Sequence, residues 1–273
     1  MKRIMALALG LLLLVGCGGV GVDGLRKTSE EDIQWVDYWW GNEGADAPRF
    51  PLYLELPEDD IQLYGVCGKN YQGGMVLFHE GRETYFSDWG YAHYDYPRMT
   101  YYDFDGDGER EIGVITLMGN GTGLLLSDLH IVTMKKEERY EGSAAYDNYA
   151  YTYIDHAFTH EDVAAYFNKA IKYKYDKQAN TVDITLANQR ITASLNPDYL
   201  GHTIAVGTCI HFYFTGNRIE LRASLETDSY MMGESVGCVT ADVAFDGKEI
   251  RLNNIKLGTS EEYTEWWLSG ENR

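Results

Sequence analysis

Basic residues are scarce in this chain. Its 273 residues include 23 Lys and Arg against 42 Asp and Glu, a formal net charge of −19. Such a balance repels phosphate backbones and excludes a nucleic-acid partner. It equally disfavours adsorption to anionic lipid. Proline is rare, at five, and low-complexity runs are absent. With 45% hydrophobic residues the chain can bury a core, which excludes a disordered polymer. Cysteine numbers four and never falls as Cys-x-x-Cys. That excludes a zinc knuckle or a thioredoxin-like site. Long apolar runs are missing too. The longest, Ile4 to Val15, has twelve residues, short of the about 20 that a spanning helix needs.

That short run is informative because of its flanks. Lys2 and Arg3 precede it, and Leu14-Val15-Gly16-Cys17 follows. The four residues resemble the bacterial lipobox. The resemblance implies a lipoprotein signal over 1–16, cleavage before Cys17, and acyl chains on the Cys17 thiol. It also implies a chain held on a bacterial membrane and facing outward. Burial contributes about 0.8 kcal/mol per CH₂, so two or more chains anchor stably. Residues 17–28 then read as the lipidated Cys and a flexible tether, with Gly at 18, 19, 21 and 24.

Beyond the tether the text is mostly strand-like. Ser29-Glu30-Glu31-Asp32 suits a helix start, with Ile33, Val36 and Trp40 on one face. Residues 50 to 135 alternate short apolar runs with turn residues. A second helix is expected over 159–171, capped by Thr159, with Val163, Ala164, Phe167 and Ile171 as its apolar stripe. Hairpins follow: 182–186 with 190–193, 210–214 with 219–225, and 239–245 with 249–252 around Asp246-Gly247. Ser260-Glu261-Glu262 opens a last helical string. The expected fold is α+β, predominantly antiparallel β, as a sandwich or propeller-like hairpins with a few helices. Two regions are expected, 29–140 and 141–273, which could form one continuous domain.

One stretch carries specific chemistry. Asp103, Asp105 and Asp107 alternate, Gly106 and Gly108 intervene, and Glu109 and Glu111 follow. Carboxylates spaced by two can converge on a hard cation if the chain wraps it, and Ca²⁺ takes six to eight oxygens. The glycines permit the tight turn. Asp103, Asp105, Asp107 and Glu111 would give side-chain oxygens and Glu109 its carbonyl. An EF-hand would place its last acid at Val114 and flank the loop with helices. Here the flanks are strand-like, Met99 to Tyr102 and Ile112 to Leu117. An acid at the ninth position between strands resembles the Asp-x-Asp-x-Asp-Gly-x-x-Asp loops of FG-GAP and VCBS repeats, with Glu111 where Asp is usual. The resemblance implies a structural Ca²⁺ in a β-hairpin. Only one complete loop is present, so a full propeller is not implied. Gly119-Asn120-Gly121-Thr122-Gly123 and Ser127-Asp128-Leu129-His130-Ile131 further resemble uncharacterised Gram-positive surface lipoproteins.

Other motifs carry less. Gly233-Glu234-Ser235-Val236-Gly237 has the spacing of a nucleophile elbow, but a strand is expected after it and no His follows His211. Gly19, Gly21 and Gly24 match a dinucleotide fingerprint without the strand that should precede it. His156 and His160 are four apart, yet Thr159 caps the helix between them. His130 is expected on the strand face opposite Leu129 and Ile131. Cys67, Cys209 and Cys238 leave one thiol over if any two pair. The 22 Tyr, 6 Trp and 9 Phe could line a sugar-binding cleft. The sequence thus points to a membrane-anchored, non-enzymatic binding module with a Ca²⁺ loop, whose ligand is an extracellular protein or a carbohydrate. The alternative is a surface glycan-binding or glycan-degrading protein with an aromatic cleft.

Overall fold

Period-two alternation of apolar and polar residues builds most of the molecule. A computed structural model describes residues 26–27, 50–68, 71–90, 97–121, 123–138, 149–227 and 233–268. Cys17, residues 18–25 and 28 of the tether, and the helix expected from Ser29 lie outside them; Arg26 and Lys27, read as flexible tether, instead form a short strand paired with Pro51 and Leu52. The fold is α+β and predominantly antiparallel β, as the residue pattern indicates. It divides into two compact units. One holds the described residues up to Met99 with Thr116–Met118, the other the described residues of Thr100–Ile115 and from Gly119 onward.

The first unit carries a five-stranded sheet in the order β1 to β5. Its strands are β1 (Arg26–Lys27), β2 (Pro51–Leu56), β3 (Ile61–Gly68), β4 (Tyr71–His79) and β5 (Arg82–Phe86). β1 runs parallel to β2, and the rest is an antiparallel meander. Phe50, Leu52, Tyr64, Val66 and Val76 make one core cluster. Trp89 is buried and stacks on Phe86 at 4.2 Å, so this ring belongs to the core rather than to a ligand platform.

The second unit is built on the larger parts of β6 (Arg98–Tyr102) and β7 (Glu111–Gly121), whose Arg98, Met99 and Thr116–Met118 belong to the first, with β8 (Leu124–Glu138) and β9 (Tyr149–Phe158). Next come helix α1 (His160–Ala170), β10 (Lys172–Asp176), β11 (Thr181–Leu186) and β12 (Gln189–Ser194). Last are β13 (Ile204–Thr215), β14 (Arg218–Thr227), β15 (Ser235–Phe245), β16 (Ile250–Gly258) and helix α2 (Ser260–Leu268). An eight-stranded sheet runs β16-β15-β14-β13-β8-β7-β6, and β9 also pairs with β8. β10, β11 and β12 form a separate antiparallel sheet.

In β14 and β15 the core face holds Ile219, Leu221, Ala223, Val239, Ala241 and Val243, all buried. The alternate residues Glu220, Arg222, Thr240 and Asp242 are only half-buried. α1 forms as expected. Thr159 and Asp162 close a capping box, and Val163 and Phe167 point inward. The β11–β12 turn is tighter than its text suggests. It comprises Ala187 and Asn188 alone, Ala187 takes a positive φ of 53°, and Gln189 belongs to β12.

Candidate metal centre

The site lies where β6 hands over to β7. β7 begins at Glu111, and residues 111–117 are buried without a break. Its apolar run from Ile112 to Leu117 is fixed in the core, and Glu111, next to it, is drawn in as well. Glu111 is only 4% exposed. Phe104 pins the other end of the loop. Its ring stacks near Phe214 at 6.3 Å. A Cβ on Gly113 would stand 3.0 Å from both rings, so any larger residue here would press the Phe104 and Phe214 rings aside.

Between these anchors the carboxylates organise their own backbone. Asp103 accepts from the N–H groups of Gly106 at 2.7 Å and Gly108 at 3.0 Å. Asp105 accepts from the N–H of Asp107 at 3.0 Å, and Asp107 from that of Glu109 at 2.7 Å. Gly106 and Gly108 take positive φ of 79° and 95°, which explains the glycines at these positions. Glu111 reaches back across the loop and accepts from the Phe104 N–H at 2.8 Å.

The result is an acidic cluster that could hold a metal ion. Asp103, Asp105 and Glu111 each present an oxygen, and these lie within 4.8 Å of one another. Oxygens on opposite sides of one Ca²⁺ are about 4.6–5.2 Å apart, twice the usual bond length, so the cluster is the right size for a shared cation. Asp107 and Glu109 are not among these three, and the Asp107 carboxylate is turned to the Glu109 N–H. All three donors are hard oxygens, which suits a hard cation.

Without a cation the cluster is electrostatically unfavourable. Burial pushes the Glu111 carboxyl up to about 7; the Phe104 N–H opposes this, and Asp105, Asp107 and Asp103 reinforce it. A cation would remove both the repulsion and the desolvation cost. Asp105 also touches a second element. Its Oδ2 lies 2.6 Å from where a Cβ on Gly247 would stand. The β15–β16 turn therefore closes over the loop, and Gly247, with a φ of 82°, leaves room for the carboxylate.

The other candidates fall elsewhere. Ser235 opens β15, with its Oγ buried and without a hydrogen-bond partner among the described residues, and β15 leads to a hairpin rather than a helix. Cys209 and Cys238 are buried free thiols. Burial raises both, Cys238 to about 11, so they stay neutral. His156, on β9, meets Thr133 at 3.1 Å and the Lys248 carbonyl at 3.1 Å, away from His160.

Two His–Asp pairs were not evident from the text. Buried His130 meets Asp155 at 3.0 Å. His160 opens α1, and both its Nδ1 and its backbone N–H reach the buried Asp128, at 2.6 and 2.7 Å. The available signal was Asp128 and His130 two apart on one strand. Leu129 and Ile131 are buried as well, so both faces of β8 are covered here.

Comparison with protein-family models, with curated proteins and with solved structures finds no match. The side chains and their arrangement are therefore what speaks for function.

Proposed function

We propose that the protein is a lipid-anchored binding module on the outer face of a bacterial membrane, with one Ca²⁺ held by the 103–111 loop. The observation that carries the ion is the convergence of Asp103, Asp105 and the buried Glu111 within 4.8 Å. Asp107 and the Glu109 carbonyl complete the shell by small rotations of an exposed turn. Ca²⁺ is favoured over Mg²⁺, which keeps its waters and demands a tighter octahedron. The role is structural: the ion ties β6, β7 and the β15–β16 turn together. Affinity is of the order of 10⁻⁴–10⁻³ M, as in extracellular modules. The anchor rests on Lys2, Arg3 and Leu14-Val15-Gly16-Cys17.

The test is thermal unfolding in EDTA, then with millimolar Ca²⁺ or Mg²⁺. Ca²⁺ at 100 times its Kd adds about 2.7 kcal/mol. The expected outcome is a clear rise with Ca²⁺, little with Mg²⁺, and none in Asp103→Asn. Equal curves under all three conditions would reduce the loop to an acidic turn. For the anchor, Cys17→Ser should move the chain from the membrane fraction to the soluble one.

A further inference from the structure

The polar face of β14, β15 and β16 is hollowed into a groove of about 770 Å³. That is a common size for small-molecule sites. Gln189 of β12 and Glu262 of α2 wall it. The Gln189 wall is fixed, because its amide donates to the Ile255 carbonyl at 2.7 Å and accepts from the Leu257 N–H at 2.9 Å. Glu262 is held as a cap by the Thr259 N–H at 2.6 Å.

The floor carries two rows of opposite character. Strand register places Arg222, Thr240 and Lys256 side by side across three strands. One step of two residues along, about 7 Å away, stand Glu220 and Asp242. A bulge in β16 puts Asn254, at a φ of 49°, against Asp242 at 2.6 Å. Glu220 is engaged by Arg222 at 3.3 Å. The acids are thus already engaged, and still have lone pairs for further donors. Lys256 and Arg218, both lining the groove, have no acidic partner among the described residues. In a chain with 42 acids against 23 bases, this hollow is richer in cations than the whole, with Arg218, Arg222 and Lys256 standing against Glu220, Asp242 and Glu262. Lys256 and Arg222 are about 10 Å apart at the backbone, and both side chains are long enough to converge above the Thr240 hydroxyl. Among the described residues no aromatic ring lines the groove, so they give it no stacking platform of the kind a neutral-sugar site uses.

We propose that this groove binds a small carboxylate bearing a hydroxyl or ammonium donor beside the acid group. The carboxylate sits over Thr240 between Lys256 and Arg222, and its neighbouring donors meet Glu220 and Asp242. Amino acids and sugar acids share this chemistry.

Isothermal titration of the full chain tests it, with L-serine and D-glucuronate as probes. Acetate, glucose and inorganic phosphate serve as controls at fixed ionic strength. The expected result is one-to-one binding of serine or glucuronate, roughly tenfold tighter than acetate, glucose or phosphate, as one or more charged hydrogen bonds imply. Serine binding assigns the groove to amino acids, glucuronate binding to sugar acids. Lys256→Met should weaken that binding about tenfold, while the charge-matched Lys177→Met, in the β10–β11 turn, should not. Thr240→Val, which removes only the hydroxyl, gives a second reading of the same seat. Probes that bind no better than acetate or phosphate would overturn the proposal. So would equal loss in Lys256→Met and Lys177→Met.

Discussion

Glu111 shows how one residue can tie ion binding to acidity. Its folded value is about 7, against an ordinary carboxyl value of 4.5. The cation-free folded state therefore holds this proton more tightly than the unfolded chain does. The stabilisation is complete below pH 4.5 and is lost as pH rises to about 7, by up to about 3 kcal/mol. A cation held by the cluster would favour the ionised form, so affinity for it should rise through the same window. Glu111→Gln keeps the shape and the Phe104 contact while removing the charge. In EDTA its stability should rise with pH relative to the parent chain between pH 4.5 and 7, read as the difference in urea midpoints across that range. A difference that does not change with pH would place the buried charge elsewhere. The identities of Asp103, Asp105 and Glu111 were legible in the sequence because their chemistry is local, within nine positions. The Asp128–His160 and His130–Asp155 pairs were not. Their members stand 32 and 25 residues apart, and only the folding of α1 and β9 onto β8 joins them.

Elements whose signals sit within one turn were legible in the same way. Thr159 and Asp162 are three apart, and Val163 and Phe167 are four apart, which specifies both the cap and the inward face of α1. Thr159→Ala should cost about 1 kcal/mol, visible as a lower urea midpoint with an unchanged slope. A loss within a few tenths of zero would mean that docking of Val163 and Phe167, rather than the capping box, fixes the start of the helix. The Asp246-Gly247 hairpin was legible for a comparable reason, since glycine supplies the left-handed turn. The Ala187-Asn188 turn carries no such signal, because alanine rarely adopts positive φ. Gln189 was therefore read as turn. Its actual role, bonding the β16 backbone from another sheet, depends on a partner 66 residues away.

At the scale of the molecule, hairpin neighbours followed from sequence, but the order of the large sheet did not. Among the described residues β13 pairs with β8 in parallel only through Cys209 and Ile210, and β9 pairs with β8 from Leu129 onward. No local pattern encodes that junction. Its consequence is a sheet buried deeply enough to enclose His211 completely. Burial first, and then the Arg222 charge, hold His211 down to about 3 from 6.5. Its ring lies against Tyr213 at 4.1 Å. The folded state refuses a proton that the unfolded chain accepts, so this contribution is complete above pH 6.5 and is lost as pH falls towards 3. His211 and Glu111 therefore act in opposite directions between pH 4.5 and 6.5, and the cation-free protein should show a shallow optimum there. Below 4.5 the Glu111 contribution is constant, and the window from 4.5 to 3 isolates the histidine. His211→Gln should lose stability less steeply there, by up to about 1.4 kcal/mol per pH unit relative to the parent chain. Other carboxylates titrate identically in both proteins and cancel in the comparison. Parallel slopes would mean that His211 takes up its proton in the folded state, and that the sheet opens at this strand before it unfolds.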